Sequence, residues 1–118
     1  METKQVIVMR KLNIRKGKMV SQGGHAASAF LLENYGRSLT EEEYIWVNND
    51  YPKICVVVKT EEELLYIYNK SRMAGLTTHL ITDSGRTEFD GIPTNTCVAI
   101  GPHEVSKIDV ITGHLPLL

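Results

Sequence analysis

Three short apolar runs, separated by segments with helical patterning, constrain the fold of this chain more than any other feature. Nearly every residue is apolar within Val6–Val8, Ile54–Val58 and Cys97–Ile100, and such runs are typical of strands buried on both faces of a sheet. We expect strands at Lys4–Met9, Lys53–Lys59, His79–Thr82 and Thr96–Gly101. Lys53–Lys59 is the clearest of the four, which predicts that it lies at the centre of the sheet.

Helical patterning fills most of the intervals between these strands. Thr40 and Thr60 are each followed three residues later by a glutamate, the capping-box arrangement that opens a helix. The predicted helices are Lys18–Asn34, Thr40–Asn48, Thr60–Met73 and Pro102–Ile108, followed by an extended tail, Val110–Leu118. Gly23 and Gly24 cost about 1 kcal/mol each inside a helix, so we expect another backbone or a ligand to approach them closely.

The resulting order, β-α-α-β-α-β-β-α, predicts one α/β domain over residues 1–118. We expect three α/β/α layers around a small, mostly parallel mixed sheet of four strands. The β-β connection makes one of these strands antiparallel. A chain of 118 residues fits a single domain.

Composition and charge narrow the class of protein. Hydrophobic residues make up 42% of the chain and charged residues 23%, close to globular averages. No apolar run could span a bilayer, and the first residues lack a signal-peptide layout. We therefore expect a cytoplasmic protein. Cys55 and Cys97 each lie in an apolar run and are interpreted as core thiols. The histidines and cysteines do not have the spacing of a zinc site.

The charge is distributed unevenly along the chain. The net charge is −1, which argues against a non-specific nucleic-acid binder. Residues 10–18 nevertheless carry five lysines and arginines and no acid, whereas Glu33–Asp50 carries five acids against the single Arg37. A local basic end of this kind can hold a polyanion at one place.

Two loops at the carboxyl ends of predicted strands hold the unusual polar residues. Open α/β sheets bind ligands at such ends. In the first loop, Lys18 lies where a helix begins, which suits a phosphate or an oxyanion. Gln22 and His25 share its helix face. The second loop contains Asp83-Ser84-Gly85-Arg86-Thr87. The first loop lacks both glycine-rich phosphate motifs, so a nucleotide cofactor is not expected.

Each of these features also has a purely structural interpretation. Lys18 can be a solvated surface lysine, His25 a packing residue, and the second loop a turn in which Arg86 neutralises Asp83. A triad of Ser84, His25 and Asp83 lacks the G-x-S-x-G sequence of a nucleophile elbow. Direct attack by water is the simpler hypothesis.

Four motifs follow one another along almost the whole chain. They are Lys16-Gly17-Lys18 with Gln22 and His25-Ala26, then Asp83–Thr87, then Thr96–Pro102, and finally Thr112–Leu115. In this order they resemble the elements of the type-2 peptidyl-tRNA hydrolase family, which is found widely in archaea and eukaryotes.

The resemblance implies hydrolysis of the ester that joins a peptide to the terminal ribose of tRNA, with no metal or organic cofactor and often by a homodimer. It implies that Asp83 and Thr87 position or activate a water, that Lys18 stabilises charge on the ester carbonyl or binds the tRNA end, and that Thr96 fixes the water or the ribose. The residues expected to supply supporting hydrogen bonds or phosphate contacts to the substrate are Lys16, Gln22, His25 and Arg86.

Two other functions stay open at this point. One is a non-catalytic module of the same fold that holds an RNA end or a protein partner. The other is an esterase that acts on small aminoacyl or peptidyl esters.

Overall fold

A four-stranded sheet forms the centre of the computed structural model, which describes residues 1–86 and 88–118. The elements are β1 (Thr3–Arg10), α1 (Lys16–Glu33), α2 (Glu41–Val47), β2 (Lys53–Val58), α3 (Glu61–Met73), β3 (Thr78–Asp83), β4 (Thr94–Glu104) and α4 (Val105–Thr112). A short 3-10 turn, Phe89–Gly91, precedes β4. The predicted order of strands and helices is confirmed.

The strands lie in the order β2-β1-β4-β3. β1 pairs with β2 in parallel, and β4 pairs with both β1 and β3 in antiparallel orientation. Three strands therefore point in one direction and β4 points in the other, as predicted from the β-β connection. Because β4 lies between β1 and β3, only one of the three strand contacts is parallel.

The alternation of side chains along β1 explains the three layers. Val6 and Val8 face a core shared with α3 and α4 on one side of the sheet, whereas Ile7 and Met9 face α1 on the other side. All four side chains are buried. A strand covered by helices on both faces has no solvent-facing position along its covered part, and this is why β1 is apolar from Val6 to Met9.

β2 is an edge strand, so the prediction that it is central is wrong. Its free edge is covered by the end of the chain: the Val57 N–H donates to the Pro116 carbonyl (3.0 Å), and the Leu118 N–H donates to the Cys55 carbonyl (3.0 Å). The two central positions of the sheet are occupied by β1 and β4 instead. Burial of Val56 and Val58, partial burial of Cys55 and Val57, and coverage of the edge together account for the apolar sequence.

The predicted helix at Pro102 begins too early. β4 continues through Glu104 and remains paired with the start of β1, where Thr3 lies opposite Glu104. α4 then begins at Val105 and continues to Thr112, so the extended tail starts later than predicted. Pro102 lies within the strand, at an irregularity in the β1–β4 register, where a missing N–H is tolerated.

The glycines of α1 face open space. Apart from the neighbouring turns of α1 itself, a Cβ atom added at Gly23 or Gly24 would meet no atom of the described residues within 4 Å. The expected close approach of another backbone is therefore wrong for this chain taken by itself. Within the described ranges, no helix has the length and apolar character needed to cross a membrane.

Candidate active site

The polar residues selected from the two loops converge at one end of the sheet. The carboxyl ends of β1 and β3 meet there, the N-terminal half of α1 crosses over them, and β4 begins beside them. Lys18 and Gln22 come from α1, Asp83 from the last position of β3, and Thr96 from the start of β4. Residues far apart in the sequence thus form one cluster.

Asp83 and Lys18 form the centre of this cluster. Lys18 Nζ lies 2.8 Å from Asp83 Oδ1, and the two side chains are only 14% and 11% exposed. The carboxylate also accepts the Gly85 N–H on Oδ2 (2.8 Å) and the Gln22 Nε2 group on Oδ1 (3.2 Å). The hydrogen bond from Lys18 is the main cause that lowers the pKa of Asp83, and the Gly85 N–H acts in the same direction. Asp83 is therefore ionised at neutral pH.

Gln22 connects this ion pair to Thr96. Its side-chain oxygen accepts the Thr96 hydroxyl at 2.6 Å, while its nitrogen donates to Asp83. Both Gln22 and Thr96 are fully buried. Gln22 lies four residues after Lys18, one turn further along the same helix face. Gln22 therefore donates to Asp83 from the buried side of the site and does not contact solvent.

The loop after β3 has a backbone that requires glycine. Gly85 has a φ of +83°, and a Cβ atom there would lie 2.5 Å from the Ile92 carbonyl oxygen. The Gly85 carbonyl accepts the Gly91 N–H at 2.9 Å. Arg15 also ties the loop to the start of α1, since its Nε lies 2.9 Å from Glu88 Oε1. Together these contacts fix the turn that follows Asp83.

Three other predicted site residues lie outside the buried cluster. Lys16, His25 and Arg86 are exposed. Arg86 forms no ion pair with Asp83 in the described chain, so Lys18 is the cation that neutralises this carboxylate. His25 makes no hydrogen bond to Ser84 or Asp83 among the described residues, and no triad is assembled there. Thr87 lies outside the described residues, and its assigned role stays a prediction.

A polar network missed by the sequence analysis lies beside the cluster. Arg10 donates to the Asn95 carbonyl (3.2 Å) and lies 3.6 Å from Glu61, while the Asn95 side chain accepts the Thr82 hydroxyl (2.7 Å). Arg10 is thus held by the protein. Glu61 was the sequence signal for this network, because it follows β2 and therefore lies at the same end of the sheet as Arg10.

No group of three or more histidine, cysteine, aspartate or glutamate side chains within residues 1–86 and 88–118 could hold a metal ion. The charged centre of the site is the Lys18–Asp83 pair. An ionised carboxylate of this kind can orient a water or a hydroxyl group, and the ammonium can stabilise negative charge that develops beside it.

Comparison with known proteins identifies relatives over nearly the full length of the chain. A peptidyl-tRNA hydrolase from Methanocaldococcus jannaschii is 46% identical over 117 residues, covering 98% of this chain and 99% of the relative. A peptidyl-tRNA hydrolase from Sulfurisphaera tokodaii is 42% identical, and the match covers 100% of this chain and 100% of the relative. A probable peptidyl-tRNA hydrolase 2 from Drosophila melanogaster is 37% identical over 98% of this chain and 61% of its own length.

A solved Agrobacterium protein of unknown function has the same fold, with a TM-score of 0.64 at 13% identity over 100% of this chain and 98% of that protein. The family described as peptidyl-tRNA hydrolase PTH2 matches residues 3–118. The family match and the archaeal relatives lead to one conclusion: this chain belongs to the type-2 peptidyl-tRNA hydrolase family.

Proposed function

We propose that this protein hydrolyses the ester bond between a peptide and the terminal ribose of tRNA, and that the Lys18–Asp83 cluster is its active site. Family membership supports the activity and disfavours both a non-catalytic binding module and an esterase for small esters. The observation that carries the site assignment is the ionised Asp83, held by Lys18, Gln22 and the Gly85 N–H at the end of the sheet where loops converge.

In this proposal Asp83 orients the attacking water. A carboxylate whose pKa is lowered by a neighbouring ammonium is a poor general base at neutral pH, so its contribution is to accept a hydrogen bond and fix the direction of attack. Lys18 stabilises the negative charge that develops on the ester carbonyl oxygen. The bond between the carbonyl carbon and the ribose oxygen then breaks, which releases the peptide acid and the free tRNA hydroxyl.

Thr96 and Thr87 have separate roles in this scheme. Thr96 is buried and bonded to Gln22, so we assign it to positioning Asp83 through that glutamine. Thr87 is assigned, with Asp83, to holding the water. Both assignments rest on the family motif as well as on the position of Asp83.

The tRNA is expected to lie along exposed basic residues around the cluster. Lys16 and Arg86 are exposed and lie two and three residues from Lys18 and Asp83 in sequence, and His25 is exposed on α1; we assign all three to contacts with the phosphates and the ribose. Such contacts predict binding that weakens as salt is added. Because tRNA recycling serves translation, we place the protein in the cytoplasm.

A hydrolysis assay with two variants tests the site. Lys18→Ala and Asp83→Asn are each expected to lower kcat/KM for an N-blocked aminoacyl-tRNA by about 100-fold or more, with little change in folded structure. Lys107→Ala is the matched control for Lys18→Ala, because it removes an exposed lysine from α4. Wild-type hydrolysis combined with full activity in both site variants would overturn the site, whereas no hydrolysis by the wild type would overturn the function.

We also propose that two copies of the chain associate through the exposed face of α1. Val20 and Leu31 lie on one face of this helix as exposed apolar side chains, and the open surface at Gly23 and Gly24 allows a second helix to approach closely. The molar mass from light scattering tests this. Gly24→Arg is expected to give a monomer, whereas Glu62→Arg, on an exposed position of α3, is expected to leave the dimer intact.

A further inference from the structure

The two edges of the sheet differ in what covers them. The outer edge of β2 is occupied by the end of the chain, through the hydrogen bonds of Val57 and Leu118. β3 forms the opposite edge. In the part of the chain that the structure describes, only β4 forms backbone hydrogen bonds with β3. One edge is therefore closed by the protein itself and the other is open.

The register shows which backbone groups of β3 point outward. The Thr77 carbonyl accepts the Gly101 N–H of β4, so alternation directs the backbone groups of His79 and Ile81 toward β4 as well. The Thr96 hydroxyl of β4 donates to the Ile81 carbonyl at 3.4 Å, as expected if this carbonyl points toward β4. The extra residue of the irregularity lies in β4, so alternation along β3 is not interrupted. The N–H and C=O groups that point away from the sheet are those of Thr78, Leu80 and Thr82.

This open edge lacks the features that usually block strand pairing. Proteins commonly protect an edge with lysine, proline or a covering segment. The residues whose backbone groups point outward are Thr78, Leu80 and Thr82, and none of them is a lysine or a proline. The side chain of Thr82 is exposed. An edge of this kind can bind an extended peptide by adding it as a further strand.

We propose that the outer edge of β3 binds the peptide part of the substrate as an added strand parallel to β3. This inference rests on the proposed function. Asp83 is the last residue of β3, so a peptide that runs in the same direction brings its C-terminal carbonyl, the reacting group, to the active site. An antiparallel peptide would bring its N-terminus there instead, and the direction of the added strand is therefore fixed by the chemistry.

Recognition through the backbone suits this substrate. A peptidyl-tRNA carries whatever peptide was being synthesised, so its side chains vary while its N–H and C=O groups do not. The six residues of β3 extend over roughly 20 Å, enough for five or six peptide residues. The affinity should therefore rise with peptide length until β3 is fully paired and should depend little on side-chain identity.

The first test uses the substrate. The probes are tRNAs acylated with acetylated alanine peptides of one to six residues, together with five-residue peptides that carry one N-methyl group. In parallel pairing, every second peptide N–H bonds to the edge. We expect KM to fall as the peptide lengthens to about five residues. N-methylation at alternate positions should raise KM about tenfold, while methylation at the intervening positions should raise it less than about twofold.

The second test uses Thr82, whose outward N–H proline would remove. Proline is tolerated on edge strands where the N–H faces away from the sheet. Thr82→Pro should abolish most of the KM difference between one-residue and five-residue peptides. Thr82→Val is the matched control, because it loses the same hydroxyl bond to Asn95 but keeps the N–H, and it should retain the length dependence.

The outcomes separate this inference from the proposed function. Equal effects of N-methylation at neighbouring positions, or a KM that does not change with peptide length, would overturn peptide binding at β3 while hydrolysis itself still supports the function. Loss of a dimer in Thr82→Pro with an unchanged length dependence would assign the edge to a second copy of the chain and would also overturn the inference. A wild type that hydrolyses none of these tRNAs would overturn both.

Discussion

Replacing Gln22 with leucine should separate the positioning of Asp83 from the chemistry at Lys18. The substitution keeps a similar side-chain volume and removes both hydrogen bonds of the amide. The Thr96 hydroxyl then loses its 2.6 Å acceptor in a fully buried position and keeps only weaker acceptors, the Ile81 carbonyl at 3.4 Å and Cys97 Sγ at 3.7 Å. A buried donor in this state costs about 1–3 kcal/mol, and we expect the free energy of unfolding to fall by this amount.

The same substitution should lower kcat more than it changes KM. Asp83 keeps Lys18 and the Gly85 N–H but loses the donor that holds it from behind, so the water it orients is less well aligned. We expect kcat to fall about 10–100-fold, which corresponds to about 1.4–2.7 kcal/mol in the barrier. Single-turnover hydrolysis of a blocked aminoacyl-tRNA measures this effect.

Two further variants make the argument refutable. Gln5→Leu removes another buried glutamine, one that donates to the Ala27 carbonyl away from the site. It should leave kcat unchanged. In the double variant Gln22→Leu/Thr96→Val the stability losses should be less than additive, by about 0.5–1.5 kcal/mol. Strict additivity together with an unchanged kcat in Gln22→Leu would refute the positioning role.

Three other predictions concern pH and the loop after β3. Burial opposes ionisation of Glu43, but hydrogen bonds from Arg37 and from the backbone outweigh it and lower its pKa. The stability from this pair is therefore present above the unfolded pKa of about 4.5 and is lost as the pH falls further. Urea unfolding should show a weaker acid dependence in Glu43→Gln than in the wild type. Because the pKa of Asp83 is also lowered, chiefly by Lys18, a pH–rate profile should show no loss of kcat/KM from protonation of this carboxylate between about pH 7 and pH 5. Gly85→Ala forces a Cβ atom against the Ile92 carbonyl, and hydrolysis assays should show a larger loss of activity than thermal unfolding shows of stability.

Local sequence signals were sufficient for the elements and for most of the cluster. Apolar runs identified the strands, and the capping box of α2 is present, with the Thr40 hydroxyl accepting the Glu43 N–H. Lys18 lies where a helix begins and Asp83 follows a predicted strand, and the structure pairs the two side chains at 2.8 Å. These signals depend only on neighbouring residues, so they can be read without knowing the order of the strands.

What the sequence could not give was the arrangement of elements that are distant in the chain. The apolar character of β2 reflects cover by helices and by the tail at Pro116 and Leu118, and a central strand would look the same in sequence. The Arg10–Glu61 contact has the same origin, because it requires that β1 and β2 be neighbours. Pairing between distant segments is decided by packing of the whole sheet, and no local pattern encodes it.

The insertion of β4 between β1 and β3 also has a consequence for folding. Lys18 and Asp83 are 65 residues apart in sequence, and Gln22 and Thr96 are 74 apart. These contacts form only when the sheet is complete, and contacts between such distant residues form late and slowly. Catalysis therefore reports on the fully folded state. In a urea titration, hydrolysis should disappear in the same cooperative transition as the helical signal in circular dichroism.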